Sequence, residues 1–187
     1  MITLILSVLD SEEDKEKLTR IYERYYGTML HVAKGIISDN ALAEDAVMDA
    51  ILTIIGNLHK INDISSHKTR AYIVIIVRSR AINLLNKQKR HPEESLDDFE
   101  IPDNNASILD DLTMKESCDR ITLLIKELPK SLLDVLYLSV VIEHSNKEIS
   151  DLLGLSNEVV RKRLSRAKAQ LKSKLAQEGN EYAEKCL

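Results

Sequence analysis

Leu18, Ile21, Tyr22, Tyr25, Met29, Ala33 and Ile36 fall on one face when the chain is wound as an α-helix. Ser38–Asn40 can end that helix and cap the next one. The second helix is predicted over about Ala41 to Leu58, with Ala43, Val47, Ala50, Ile51, Ile54, Ile55 and Leu58 turned inward. Its opposite face carries Asp45, Met48, Asp49 and Leu52. Carboxylates mixed with large apolar groups suit either a surface for a protein partner or a wider core stripe, and spacing leaves both open. The next segment, Lys68 to Arg90, contains "YIVIIV", a β-branched run typical of a buried strand. It contains no Gly or Pro and no second strand exists to pair with it, so a buried helix is the expectation.

"HPEESLDDFEIPDNNASILDD" follows, acidic and without helical period. Beyond it Ile121, Leu124, Ile125 and Leu128 predict a short amphipathic helix stopped before Pro129. Ser131 to Glu143 is apolar nearly all round and is expected to be central. In "NKEISDLLGLSNEVVRKRLSRAKAQLKSKL", Asn146 can cap a short helix with Ile149, Leu152 and Leu153 inside. Gly154 stands where a left-handed residue is wanted, Leu155 can plug the turn, and Ser156 can cap a second helix. That helix turns Val160, Leu164, Ala167, Leu171 and Leu175 inward. A short helix, a glycine turn and a capped second helix make a helix-turn-helix; an ordinary helical hairpin is the plainer alternative. The expected fold is all-α: two small helical domains, residues 1–90 and 112–187, joined by an acidic flexible linker at 91–111.

Composition agrees with that class: 5 Gly and 3 Pro in 187 residues are few for a chain of tight β-turns. Charge changes the picture more. The chain carries 26 Lys+Arg against 30 Asp+Glu, yet the two signs are sorted. Lys60 to Arg90 is net +7, Glu93 to Asp119 net −9, and Val159 to Lys174 net +7 with no acid at all. A helix lying in a DNA groove is walled by phosphates and needs cations on its flanks, which accounts for the last block. Within Lys60 to Arg90, Arg78, Arg80, Asn83, Asn86, Lys87, Lys89 and Arg90 surround a thin stripe of Ile82 and Leu85. Arginine and asparagine at helical spacing suit phosphates and base edges, although a solvated basic helix end is the plainer reading.

Catalytic chemistry is not indicated. His31, His59, His67, His91 and His144 are scattered without metal-ligand spacing, and no nucleophile motif or phosphate-binding glycine loop occurs. Cys118 and Cys186 form neither a zinc pattern nor a disulfide framework, which fits a reducing compartment. "MITLILSVL" lacks a signal peptide's basic start and is too short to span a bilayer; a terminal strand or helix turn packed on the core is expected. No membrane association, metal, cofactor or small-molecule substrate is expected, and the cytoplasm is the expected location.

"LTRIYERYYGTMLHVAKGII" with "ALAEDAVMDAILTIIGNL", then "AYIVIIVRSRAINLLNKQKR", resembles region 2 of bacterial RNA polymerase sigma factors of the short extracytoplasmic-function-like class. "KEISDLLGLSNEVVRKRLSRAKAQL" is similar to their region 4. The resemblance covers about Leu18 to Leu175 and implies a subunit that binds core RNA polymerase and directs it to promoter DNA, with no catalytic residues of its own. It implies docking on the polymerase clamp helices through Asp45, Met48, Asp49 and Leu52. It implies reading and opening of the downstream promoter element by Arg78, Ser79, Arg80, Asn83, Asn86 and Lys87. It implies reading of the upstream element by Ser156, Asn157, Arg161, Lys162, Arg163, Arg166 and Lys168. An anti-sigma factor is a further partner that the class leaves open.

The chain departs from the family in places. Met48-Asp49-Ala50-Ile51 stands where Gln-Glu-x-Phe is frequent, Tyr72 where Trp is, Ser79 where Asn is and Asn83 where Asp is. There is no Trp, and the one Phe lies in the acidic stretch, whereas unstacked bases usually rest on aromatic faces. The alternative function is a stand-alone helix-turn-helix regulator; the small N-terminal part, with its basic third helix, offers neither a ligand pocket pattern nor an evident dimer helix.

Overall fold

The computed structural model describes residues 6, 7, 9–89, 125 and 127–185, with side chains placed up to Lys87 in the first stretch and Ala176 in the last. The acidic segment 91–111, most of the opening "MITLILSVL" and the start of the helix expected before Pro129 lie outside the described residues. Among the described residues six α-helices form two compact groups and no strand occurs.

The first group holds α1 (Glu12–Lys34), α2 (Asn40–Ile55) and α3 (His67–Lys89). Ser11 caps α1, its Oγ accepting the Asp14 N–H at 3.3 Å, and Asp39 caps α2, accepting the Leu42 N–H at 2.8 Å. Leu18, Ile21, Tyr25, Met29 and Ala33 of α1 are buried, as the periodicity predicts. Two members of the expected stripe are not: Tyr22 and Ile36 are only half-buried. The chain leaves the helix at Gly35, and Ile37, whose N–H reaches the Ala33 carbonyl at 2.9 Å, turns inward instead. α2 ends at Ile55 rather than Leu58, because Gly56 and Asn57 break it; Leu58–Lys60 forms a separate 3₁₀ turn that still buries Leu58.

The apparent strand is a helix. α3 buries Tyr72, Ile73, Ile75, Ile76 and Val77, with Tyr72 at 1% exposure, and packs on both α1 and α2. Magnitudes explain the outcome. A β-branched residue gives up at most about 0.7 kcal/mol in a helix relative to Ala. Burying its side chain returns about 1.5–3 kcal/mol. With no partner strand among the described residues, tertiary burial decides. Its start is fixed by a local network: Ser66 Oγ accepts the Thr69 N–H at 3.1 Å, and buried Thr69 donates to the Asp63 carbonyl at 2.6 Å.

The second group holds α4 (Lys130–Val140), α5 (Asn146–Leu153) and α6 (Asn157–Lys185). α4 packs on α6 through Leu128, Leu132, Leu133 and Ala167, with Leu136 and Leu171 at the margin. Ser131 to Glu143, expected to be central, buries Leu132, Leu133, Val135, Leu138 and Ile142, whereas Val140 is 62% and Val141 38% exposed. Burial on the other side pushes the Tyr137 phenol up to about 12, so it stays protonated. Leu175 is also 46% exposed, beyond the reach of α4, so the inward stripe of α6 ends at Leu171. The α5 cap is Ser145, not Asn146, which is the first helical residue. Ser145 Oγ accepts the Glu148 N–H at 3.3 Å and Glu148 Oε2 accepts the Ser145 N–H at 2.7 Å, a reciprocal capping box that needs Ser three residues before Glu.

Candidate nucleic-acid and partner interfaces

The turn between α5 and α6 is built as the sequence predicts. Gly154 has φ +66°, a left-handed conformation that costs side-chain-bearing residues about 1–2 kcal/mol. Ser150 Oγ donates to the Leu155 carbonyl at 2.5 Å, and the Leu155 N–H donates back to the Ser150 carbonyl at 3.0 Å. Ser156 Oγ accepts the Val159 N–H at 3.2 Å and so caps α6. Gly154→Ala is therefore expected to lower stability by about 1–2 kcal/mol, read by chemical unfolding of the full chain.

Val160, Leu164 and Ala167 hold α6 to its own group, which leaves the nominated cations on the outer surface. Asn157, Arg161, Lys162, Arg166 and Lys168 are exposed; Arg163 is half-buried and stands apart from them. Lys162 pairs with Glu158 at 2.8 Å, one helical turn away, in a fully solvated ion pair. Hydrogen bonding to Lys162, then its charge, holds the Glu158 carboxyl below the usual range, with Arg161 adding to the effect. Glu158 precedes the acid-free block, and its pairing engages Lys162 before any phosphate or base does. Lys174, at the other end, bonds to Glu127.

In the first group Asp45, Asp49 and Leu52 are exposed, Leu52 at 55%, while Met48 is half-buried. The face is thus a surface and not a wider core stripe. Arg78, Ser79, Arg80, Asn83, Asn86 and Lys87 all lie on the second half of α3, where the buried row thins to Ala81 alone.

Two features escape sequence reasoning. A cleft of about 300 Å³ between α1 and the start of α3 is lined by Arg24, Tyr25, Thr28, Ser65, Ser66, His67 and Arg70. Its cations and hydroxyls can hold an anion. Its floor is pinned by Tyr25, whose hydroxyl donates to the Ile64 carbonyl at 2.6 Å. Asp63 beside it is held below the usual carboxylate range by the Ser65 hydroxyl and N–H, which occupy it as a turn-forming acceptor. The second feature is a stacked pair on α1, Tyr22 and Tyr26, with ring centroids 4.7 Å apart and planes inclined by 29°. Among the described residues no group of His, Cys, Asp and Glu is arranged to hold a metal ion, and no helix is long and apolar enough to cross a membrane.

A helix-turn-helix with an exposed cationic second helix, in a chain whose other helical group ends in a basic segment, defines a DNA-binding transcription protein of two modules. Comparison with protein families gives the same answer: the sigma-70 region 2 model matches residues 21–91 and the sigma-70 region 4 model residues 118–171. The chain belongs to the sigma-70 family of RNA polymerase sigma factors, in its short extracytoplasmic-function-like class. No curated protein sequence matches the chain. Both matched regions are promoter-recognition modules, and all the nominated interface residues lie within them.

Proposed function

We propose that this protein binds core RNA polymerase in the cytoplasm and directs it to a specific set of promoters. The α2 face of Asp45, Met48, Asp49 and Leu52 docks on polymerase, because its carboxylates would repel DNA and its apolar groups gain by burial against protein. Arg78, Ser79, Arg80, Asn83, Asn86 and Lys87 of α3 read the downstream element. Ser156, Asn157, Arg161, Lys162, Arg163, Arg166 and Lys168 serve the upstream element, Ser156 by capping the helix that carries the rest. The functional modules correspond to residues 1–90 and 112–187.

The observation that carries the reading is the α5–α6 turn, with Gly154 left-handed and cations exposed on α6, in a chain of this family. The test is run-off transcription with purified core polymerase on genomic fragments from the source organism. Discrete transcripts that require the added protein are expected. Sequence-specific DNA binding without any gain in transcription, and without binding to core, would instead establish a stand-alone regulator.

A further inference from the structure

Two arginines and a histidine converge on the cleft between α1 and the start of α3, and the function proposed above uses none of them. Arg24 and Thr28, four residues apart, form one row of α1; His67 and Arg70, three apart, form one row of α3. Arg24, His67 and Arg70 are exposed, whereas Tyr25 is buried in the floor. The Arg24 guanidinium carbon lies 5.8 Å from the centroid of the Tyr25 ring, and the Tyr25 hydroxyl is itself fixed on the Ile64 carbonyl at 2.6 Å. The opposite wall is fixed as well. Ser65 Oγ donates to Asp63 Oδ1 at 2.7 Å, and Ser66 Oγ donates to the Asp63 carbonyl at 2.9 Å while it caps α3. Through Ser65, Asp63 also sets one carboxylate at the rim. The cavity, about 300 Å³, is of the size that small ligands occupy.

We propose that this cleft is a binding site for a small phosphorylated molecule, with Arg24, His67 and Arg70 around its terminal phosphate and Thr28 adding a hydroxyl. Charge selects the ligand. A terminal phosphate carries about 1.5 to 2 negative charges at neutral pH, whereas each phosphodiester of a nucleic acid strand carries one. Two guanidiniums from facing walls match the larger charge. Each presents a planar fork of donors, so together they suit a tetrahedral group with three free oxygens better than a carboxylate with two. The start of α3, with no acid in its first turn, adds positive field from the same side. A phosphate group fills only part of the cavity, so part of the attached organic group lies in it too. None of the lining residues belongs to the nominated polymerase or promoter surfaces. A ligand held by both rows ties α1 to α3 and stabilises the first helical group by mass action.

The test is calorimetric titration of the full-length protein with AMP, inorganic phosphate, acetate and a short single-stranded oligonucleotide that lacks a terminal phosphate. Saturable binding of AMP and of phosphate is expected, AMP the tighter, with acetate weaker than either. Arg24→Gln is expected to weaken AMP binding roughly tenfold. Arg24 is exposed and lies outside the buried row of α1, so this variant is readable even where a change at Arg70 disturbs α3. Asp63→Asn keeps an oxygen acceptor for Ser65 and removes the rim charge, so it is expected to strengthen AMP binding several-fold, a gain that loss of folding cannot imitate. Absence of saturable binding by both AMP and phosphate overturns the proposal, as does equal AMP affinity in wild type and Arg24→Gln. Binding of the oligonucleotide alone, lost in Arg24→Gln, would assign the cleft to a promoter strand and would also overturn it. Core polymerase enters none of these measurements, so the polymerase-binding reading is tested separately.

Discussion

Asp49→Arg is expected to reduce affinity for core polymerase by on the order of 100-fold, and promoter-directed transcription with it. Asp49 is exposed in the middle of α2, flanked by Asp45 one turn before and Leu52 one turn after. A partner complementary to this acidic face presents cations there, and placing a guanidinium against them converts attraction into like-charge contact, which costs several kcal/mol. About 1.4 kcal/mol corresponds to each factor of ten. The fold should not change, since Asp49 belongs to none of the buried rows of α2. Binding of the same variant to upstream-element DNA should match wild type, because α6 is untouched. Core affinity of the variant within twofold of wild type would show that polymerase docks elsewhere.

Local rules carried much of the fold. The α1 stripe from Leu18 to Ala33, the Asp39 cap, the Gly154 turn and the Ser156 cap each depend on residues within a few positions of one another, and such relations survive in a linear sequence. The Ser145–Glu148 capping box is equally local, yet the expectation fell on the adjacent Asn146, one residue too far. Residues with two uses were harder. Tyr22 fits the apolar period of α1, but with Tyr26 one turn on it completes an aromatic pair, and only the packing of Leu18, Ile21 and Tyr25 decides which use prevails. The exposed ends at Val140 and Leu175 have the same origin, because an apolar residue is buried only where a neighbouring element reaches it. The cationic cleft was not legible at all. Arg24 belongs to α1 and His67 and Arg70 to α3, and nothing local to either segment signals that the chain brings them together.

Charge on α6 is expected to separate into two kinds when tested. Arg161 lies in the first turns of the helix, close to the Ser156 cap, and is exposed; Lys168 and Lys172 lie about two and three turns beyond it, also exposed. If α6 enters the major groove by its N-terminal end, Arg161 reaches base edges, where a bidentate contact is worth about 1–3 kcal/mol of discrimination. Arg161→Ala should then lose roughly 5- to 150-fold in preference at one or two base pairs of the upstream element. Lys172→Ala should weaken binding to every sequence alike and lower the slope of log affinity against log salt by roughly one unit. Lys162 should respond less sharply than Arg161, because the Glu158 carboxylate already holds its ammonium at 2.8 Å and that pair must open before the lysine contacts DNA. Glu158→Gln releases Lys162 and removes a negative charge from the approach to the groove, so it should raise affinity for matched and scrambled DNA together. The measurement is a binding titration of each full-length variant on matched and scrambled promoter fragments at several salt concentrations. Identical behaviour of Arg161→Ala and Lys172→Ala, or a wild-type affinity indifferent to salt, would mean that α6 does not read DNA from the groove.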